Sequence, residues 1–323
     1  MRLHHVLALF LWLSGAVSAL AQNAGNLPVV GVLRVNTADT VEPMASKLRA
    51  ALAALGQIDG RTIRIETRLA EGHVERLPEL ARSLVAEKAS VIITAGDPPT
   101  RAAQHATQTI PIVALVDDLV AAGLINSLAK PGGNTTGVSI LATELDAKKI
   151  ELLKQILPSA RRFGVLRDPA NSVSARMKAI AETAQALGVE LHFADVSKPD
   201  DIGPAFASFS EARVEAVDVL ASPLLFSIRT EIGRLSFAHK LPAICQFREN
   251  VEAGCVASYG ISLPHAYVVV AELTDKMLKG SRPEETPAQQ PSTFELVLNQ
   301  KAARAIGIAI PPALLARANE FIK

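Results

Sequence analysis

The chain contains two copies of one pattern of strands, loops and helices. The tetrapeptide Gly-Val-Leu-Arg occurs at residues 31–34 and again, 133 positions later, at residues 164–167. In each copy an apolar run ends in a polar loop, a stretch with helical spacing closes on Leu-Gly, and a short alternating strand follows. A spacing of this size is the length of a typical domain. The sequence therefore predicts two similar lobes in tandem, and a cleft between such lobes is where small ligands bind.

The repeat continues through two further strands in each copy. Residues 91–94 run into Asp97-Pro98 and residues 217–220 run into Ser222-Pro223, while Ile-Pro at 110–111 is matched by Leu-Pro at 241–242. Because strands and helices alternate from Val29 onwards, we expect an α/β fold of two Rossmann-like lobes, each a parallel sheet flanked by helices. The predicted lobe boundaries are residues 28–141 plus 262–290 for lobe I, and 142–261 plus 291–323 for lobe II.

The composition argues against several classes of partner and chemistry. With 33 basic and 32 acidic residues the net charge is +1, which provides no long-range field to attract nucleic acid or an anionic membrane. Aromatic residues make up only 4%, too few to predict a groove that stacks bases or sugars. The chain has no GxSxG, no GxGxxG after the first strand, and no CxxC or HExxH. We therefore expect no catalytic residues, no cofactor and no metal.

The first 21 residues have the pattern of a secretory signal peptide. A basic start is followed by an apolar core from Val6 to Leu13 and by Ala19-Leu20-Ala21, a small-x-small cleavage site. The alternatives are a membrane anchor or an unstructured leader, but the apolar core of eight residues is too short to span a bilayer. The sequence predicts a periplasmic protein without a membrane span once the signal is removed.

The two cysteines, Cys245 and Cys255, leave two interpretations open. An exported protein tolerates a disulfide, but both residues fall near strand ends whose separation the sequence does not give. Because Cys is often simply buried as an apolar residue, two separate buried thiols are the slightly favoured expectation.

Polar side chains gather at the carboxyl ends of the predicted strands, where open parallel sheets bind ligands. Hydroxyls and helix N-terminal N–H groups suit a carboxylate, and Asp suits an ammonium, so this set fits a small zwitterion. The alternative for each residue is a helix cap or a turn. Since neighbours on an extended chain point opposite ways, at most one of the adjacent pair of aspartates is expected to face the cleft. The candidate ligand-binding residues are Asn36, Thr37, Thr94, Gly96, Asp97, Asp117, Asp118, Asp168, Asn171, Ser222, Gln246 and Tyr259.

Two long segments carry a resemblance to a known family. Residues 128–137, Leu-Ala-Lys-Pro-Gly-Gly-Asn-Thr-Thr-Gly, and residues 290–299, Gln-Pro-Ser-Thr-Phe-Glu-Leu-Val-Leu-Asn, resemble the ABC-transporter substrate-binding proteins of the tryptophan/tyrosine type. The resemblance implies a type I periplasmic-binding fold with three crossings between lobes. It also implies capture of a small, often amino-acid solute and its delivery to a permease with its ATPase. We expect the protein to be a monomer.

The resemblance also implies where the pocket lies and where this chain departs from the pattern. It places the pocket at loops matching residues 94–97 and 168–171, Asp117, Ser222 and Tyr259. Asp118 is the closer match to the family's usual Asp, so we expect Asp118→Ala, like Asp168→Ala, to weaken binding. Cys245 stands where an aromatic residue is frequent, which argues against an aromatic ligand.

Together these features predict a periplasmic solute-binding component of an ABC importer that closes on its ligand by a hinge motion. Two alternatives remain at this point. A ligand sensor for a histidine kinase or chemoreceptor would have the same fold, and a secreted hydrolase or lyase would use carboxylates between the lobes.

Overall fold

The computed structural model of the chain describes residues 27–171 and 174–322, so the predicted signal peptide lies outside the described residues. The described chain forms two β-sheets, each covered by helices on both faces. None of the helices within these residues is long and apolar enough to cross a bilayer.

The first sheet has five strands, all parallel, in the order β2-β1-β3-β4-β5. Its inner strands are continuous apolar runs, as expected for strands covered on both faces. The strands are β1 (Val29–Arg34), β2 (Arg64–Leu69), β3 (Val91–Ala95), β4 (Ile112–Val116) and β5 (Thr135–Ser139).

Four helices pack on the first sheet, two on each face. One face is covered by α1 (Ala38–Ala54) and α10 (Leu263–Leu278), whose apolar residues join one core with β1, β3 and β4. The other face is covered by α2 (Leu77–Ala86) and α3 (Asp97–Ala106). Because α10 comes from a late part of the chain, the first lobe is built from two separate segments.

The second sheet has seven strands in the order β12-β11-β10-β9-β8-β6-β7. All its pairs are parallel except β10 with β11, which is antiparallel. The strands are β6 (Arg162–Arg167), β7 (Glu190–Asp195), β8 (Ala216–Val219), β9 (Ala243–Cys245), β10 (Ala257–Gly260), β11 (Glu295–Asn299) and β12 (Glu320–Ile322).

The helices of the second lobe also divide between two faces. One face carries α4 (Ala142–Ile156) and α5 (Ser174–Ala186), and the other carries α6 (Ile202–Glu211) and α8 (Arg229–Ala238). Shorter helices follow strands or close the chain: α7 (Pro223–Ser227), α9 (Arg248–Glu252), α11 (Gln300–Ala305) and α12 (Pro312–Leu315).

The repeated Gly-Val-Leu-Arg has the same packing role in both sheets. A Cβ on Gly31 would lie 3.1 Å from the Leu84 side chain of α2, and a Cβ on Gly164 would lie 2.8 Å from the Phe209 ring of α6. In each lobe the missing side chain therefore lets a crossover helix press its apolar side chain onto the central strand.

The structure corrects the sequence prediction in five places. The apolar spacing of residues 225–239 predicts one helix, but the structure has two helices separated at Ile228. The elements β5, α6 and β12 are not among those that the sequence pattern predicts. The antiparallel β11 departs from the expected all-parallel sheet because it enters from a crossing segment rather than through a βαβ unit.

Candidate functional site

A cavity of about 70 Å³ lies between the two lobes at the carboxyl ends of the strands. Most of its walls are apolar, and a few polar groups project from the strand ends. Its lining residues are Arg34, Asn36, Met44, Ala95, Gly96, Leu115, Val116, Asp117, Ile140, Ala221, Ser222, Pro223, Phe226, Phe247, Leu263 and Tyr267.

Arg34 is the cation of this cavity. It is the last residue of β1 and is 5% exposed, although it carries a charge. Its Nη2 donates to the Tyr267 hydroxyl at 2.8 Å, and the guanidinium lies 5.3 Å from the centre of that ring. Within residues 27–171 and 174–322 no carboxylate pairs with Arg34. A buried guanidinium held by a neutral hydroxyl retains donors that fit an anion.

Asp117 brings the opposite charge to the same cavity. It follows β4 in lobe I, and its Oδ2 accepts a hydrogen bond from Arg176 Nη1 of α5 in lobe II at 2.5 Å. Burial raises the pKa of Asp117 to about 7, against the opposing pull of the Arg176 guanidinium. In the described chain, Oδ1 of Asp117 accepts no hydrogen bond. One carboxylate oxygen is therefore left for a ligand.

Arg176 belongs to a buried cluster of charges inside lobe II. Lys149 Nζ lies 2.9 Å from Asp146 Oδ1 and 2.7 Å from Asp218 Oδ1, and Arg176 Nε donates to Asp146. Burial alone would raise the pKa of Asp146, but Arg176 and Lys149 together lower it. Within lobe II the charges of Lys149 and Arg176 are neutralised by Asp146 and Asp218. Asp117 of lobe I therefore adds one negative charge to this cluster when the lobes are closed.

Matching contacts hold the two lobes together on either side of the cavity. Asn36, after β1, donates from Nδ2 to Pro223 O of lobe II at 2.8 Å. Asn171, beyond β6, accepts on Oδ1 from Asp97 N of lobe I at 3.4 Å. Because Asp97-Pro98 and Ser222-Pro223 are counterparts in the sequence repeat, each lobe uses an Asn to reach the same loop of the other lobe.

The contact between the lobes is too close for a side chain at Gly96. Its φ is +89°, and a Cβ there would lie 2.6 Å from Pro223 Cγ of lobe II. A further ion pair crosses the gap from Lys47 Nζ to Glu249 Oε1 at 3.3 Å. The structure therefore has the lobes closed on each other around the cavity.

The apolar walls come from both lobes. Met44 of α1 and Leu263 of α10 face the cavity from lobe I, while Phe226 and Phe247 face it from lobe II. The two rings meet edge to face with centroids 5.7 Å apart. This enclosure suits an apolar ligand side chain.

Four of the residues predicted from the sequence line the cavity, namely Asn36, Gly96, Asp117 and Ser222. Ser222 also caps α7, because its Oγ accepts from Leu225 N at 2.9 Å. Thr37 is half-buried just beyond them and is not one of the lining residues.

The other predicted residues are occupied elsewhere in the structure. Thr94 shares a hydrogen bond with Thr100 at 2.8 Å. Asp118 Oδ1 accepts from the backbone N–H groups of residues 120 and 121, each at 3.0 Å, and so closes a turn. The Tyr259 ring packs 6.2 Å from that of Phe294.

Asp97, Asp168 and Asn171 form the base of the contact between lobes rather than the cavity wall. Asp168 Oδ2 accepts from Asn171 Nδ2 at 2.7 Å, and Asn171 in turn bonds the first residue of α3, Asp97. Burial raises the pKa of Asp168, and it raises that of Asp97 to about 6. Gln246 lies in an adjoining smaller cavity.

The cysteines are paired, contrary to the favoured expectation. Cys245 at the end of β9 and Cys255 before β10 form a disulfide with their Cα atoms 6.6 Å apart. Neighbouring parallel strands bring them together, a proximity that sequence separation alone does not give. The bond closes the segment that carries Phe247.

Two features of the cavity were missed in the sequence. Arg34 is the last residue of its strand rather than part of the polar loop that follows, and Tyr267 lies in the second turn of a helix that is distant in sequence. A single charged residue ending a continuous apolar run was the signal available for Arg34. No group of three or more His, Cys, Asp or Glu within the described ranges is placed to hold a metal ion.

The comparisons with known proteins agree on one family. The sequence matches the family described as ABC transporter substrate binding protein over residues 29–322. A tyrosine-binding protein from Clostridioides difficile strain R20291 is 28% identical over 261 residues, which cover 79% of this chain and 74% of that protein.

Solved structures show that the fold is shared with known proteins. A conserved domain protein from Vibrio cholerae is 29% identical with a TM-score of 0.85, covering 92% of this chain and 100% of its own. An ABC domain from Streptococcus pneumonia in complex with L-Trp is 24% identical with a TM-score of 0.82 and the same coverage.

Proposed function

The chain belongs to the family of ABC transporter substrate-binding proteins, and from that premise we propose that its solute is an α-amino acid held between the two lobes. The fold is the type I periplasmic-binding architecture. The family binds a small molecule for a membrane permease, and its members typically work outside the cytoplasm. We propose the lobe boundaries given above, with residues 28–141 and 262–290 forming lobe I.

The buried Arg34 is the observation that carries this proposal. A guanidinium that is 5% exposed, and whose side-chain partner among the described residues is a tyrosine hydroxyl, costs free energy unless an anion joins it. A ligand carboxylate would accept two parallel N–H···O bonds from it, which adds both strength and orientation. Arg34 would therefore fix one end of the solute.

Asp117 supports an ammonium at the same end of the ligand. Its Oδ2 accepts from Arg176, while Oδ1 accepts no hydrogen bond within the described residues. A cation and an anion lining one cavity match the two charges of a zwitterion. A simple carboxylic acid would leave Asp117 without its partner.

The apolar walls support a side chain with substantial hydrocarbon surface. Met44, Phe226, Phe247 and Leu263 line the same cavity, and most of its other lining residues are also apolar. The tyrosine-binding relative is 28% identical, which favours the same ligand class. The aromatic residue missing at Cys245 is replaced by two other rings, so an aromatic solute is within the class proposed.

We propose that binding is a hinge closure. Arg34 belongs to lobe I, and Phe226 and Phe247 belong to lobe II, so a ligand touches both sets only when the lobes are shut. Ligand binding then shifts the population towards the closed form. The closed protein would present its solute to the permease and its ATPase in the periplasm, and would release it unchanged as a monomeric binding protein.

The test is calorimetry with matched ligands. The twenty L-amino acids are first screened by thermal shift, and the best binder is then compared with its decarboxylated amine and its deaminated acid. We expect each analogue to bind at least about 10-fold more weakly, because each leaves a buried charge unpaired. No stabilisation by any amino acid, or equal binding of the amine, would contradict the proposal.

A further inference from the structure

A second, smaller cavity lies behind the aromatic wall of the ligand site. It measures about 10 Å³, enough for about one water-sized group. Ala221, Ser222, Phe226 and Phe247 line both cavities, so the two spaces share a wall rather than lying in separate cores. Gln246 and Asn250 line the small cavity but not the ligand cavity.

Gln246 is buried without a hydrogen-bond partner. It is 2% exposed, and in the described residues neither its Nε2 nor its Oε1 has a partner. A buried amide in this state costs free energy until something joins it. The backbone of Gly260 approaches this side chain closely, since a Cβ on Gly260 would lie 2.8 Å from Gln246 Cγ.

Asn250 adds a second amide to the same cavity. It is 4% exposed, and in the described chain its side chain makes no hydrogen bond. Two amides supply donors and acceptors together, which is the combination that a hydroxyl needs because it both donates and accepts. A hydrocarbon group of the same size would leave all of these groups unpaired.

We propose that Gln246 is a specificity-determining residue that receives a hydroxyl-sized polar group at the far end of the ligand side chain. This inference rests on the proposed amino-acid site, with Arg34 holding the carboxylate and the ligand side chain directed at the wall of Ala221, Ser222, Phe226 and Phe247 that the two cavities share. The favoured ligand is then an amino acid with an apolar body and a polar tip. The competing occupant is a buried water, which would be present whatever ligand is bound.

The experiment compares L-tyrosine with L-phenylalanine, which differ by one hydroxyl, in the wild-type protein and in Gln246→Leu. We expect the wild type to bind tyrosine about 10- to 100-fold more tightly than phenylalanine, because the hydrocarbon ligand leaves the amide unpaired. In Gln246→Leu the ratio should fall to about 1- to 3-fold. Gln246→Met is the second variant, since it keeps the side-chain length and fills the same space.

Gln108→Leu, the same substitution on an exposed surface of lobe I, is the control and should keep the wild-type ratio. Equal binding of both amino acids by the wild type, or an unchanged ratio in both Gln246 variants, would assign the small cavity to water and overturn the inference. If another amino acid binds and neither of these two does, the inference fails while the proposed function stands. If no amino acid binds, both fail.

Discussion

The repeated tetrapeptide Gly-Val-Leu-Arg ends in an arginine in each lobe, and the two arginines have different surroundings. Arg34 and Arg167 occupy the last position of Gly-Val-Leu-Arg in the two lobes, at the same end of equivalent central strands. Arg34 is buried in the ligand cavity beside Tyr267, whereas the Arg167 guanidinium bonds Asp195 at the surface. The repeat gives both residues the same backbone position, and their surroundings give them different roles.

The neighbouring strand explains the difference. In lobe II the residue opposite Arg167 on β7 is Asp195, so the cation is neutralised where it stands. In lobe I the residue opposite Arg34 on β2 is Leu69, and α10 covers that face with Tyr267. The difference between a buried cation in the cavity and a surface ion pair therefore comes from two features. These are Leu69 in place of an aspartate on the neighbouring strand, and the Tyr267 side chain of α10.

The largest expected effect separates these two arginines directly. Arg34→Met should weaken binding of the best amino acid at least about 100-fold, because truncating one partner of a buried charge pair costs about 2–5 kcal/mol. Arg167→Met should change affinity less than about 3-fold, since surface ion pairs contribute little. Calorimetry on both variants, with circular dichroism to confirm folding, makes the comparison. Similar losses in the two variants would show that the cavity does not use Arg34 for its ligand.

The disulfide is a second difference between the lobes, because both cysteines of the chain lie in lobe II. Removing it tests whether the loop that carries Phe247 depends on this bond. Cys245 and Cys255 are 10 positions apart, and opening so small a loop by the double change to Ser should cost about 2–3 kcal/mol of unfolding free energy. Urea denaturation of the oxidised protein and the double variant measures it. Because the loop carries Phe247, affinity should also fall. A double variant as stable as the wild type would show that packing alone holds the loop.

Periodicity predicted the architecture of both lobes, because buried parallel strands read as apolar runs. The strand β12 has three residues and no such signal. For the site, the loops after strands were identified, but the environment of each side chain was not. Asp117 and Asp118 are adjacent and chemically identical, and only the folded backbone decides which carboxylate enters the cavity.

Ligand affinity should depend on pH because the Asp117 carboxyl in the cavity titrates near neutral pH. Its pKa of about 7 means that below this pH the ligand-free site holds a proton, which must leave when an ammonium binds. Affinity should therefore fall by roughly 30-fold from pH 8 to pH 5.5, as expected for a site titrating near pH 7. Asp117→Asn should remove this dependence. A wild-type profile that stays flat over this range would exclude an ammonium at Asp117.

Without ligand, low pH has the opposite effect and favours closure of the lobes. The pKa of Asp117 is raised from 3.8, so the protonated carboxyl favours the folded, closed form at low pH, and this contribution is lost as the pH rises through 7. Scattering of the ligand-free protein should show a more compact particle at pH 5.5 than at pH 8. In Asp117→Asn the difference between the two conditions should shrink to the smaller contribution of Asp97, whose pKa burial raises to about 6.

The smallest expected effect is at the neighbour of Asp117. Asp118 closes a turn through the N–H groups of residues 120 and 121, so Asp118→Ala should cost about 1 kcal/mol of stability, as loss of a side-chain cap does. Its effect on affinity should stay under about 2-fold, although family resemblance marked it as the ligand-binding Asp. Asp117→Ala is the matched variant and should weaken binding more than about 10-fold by leaving an ammonium unpaired. Calorimetry giving the reverse order would mean that the loop turns over when ligand enters, bringing Asp118 rather than Asp117 to the ammonium.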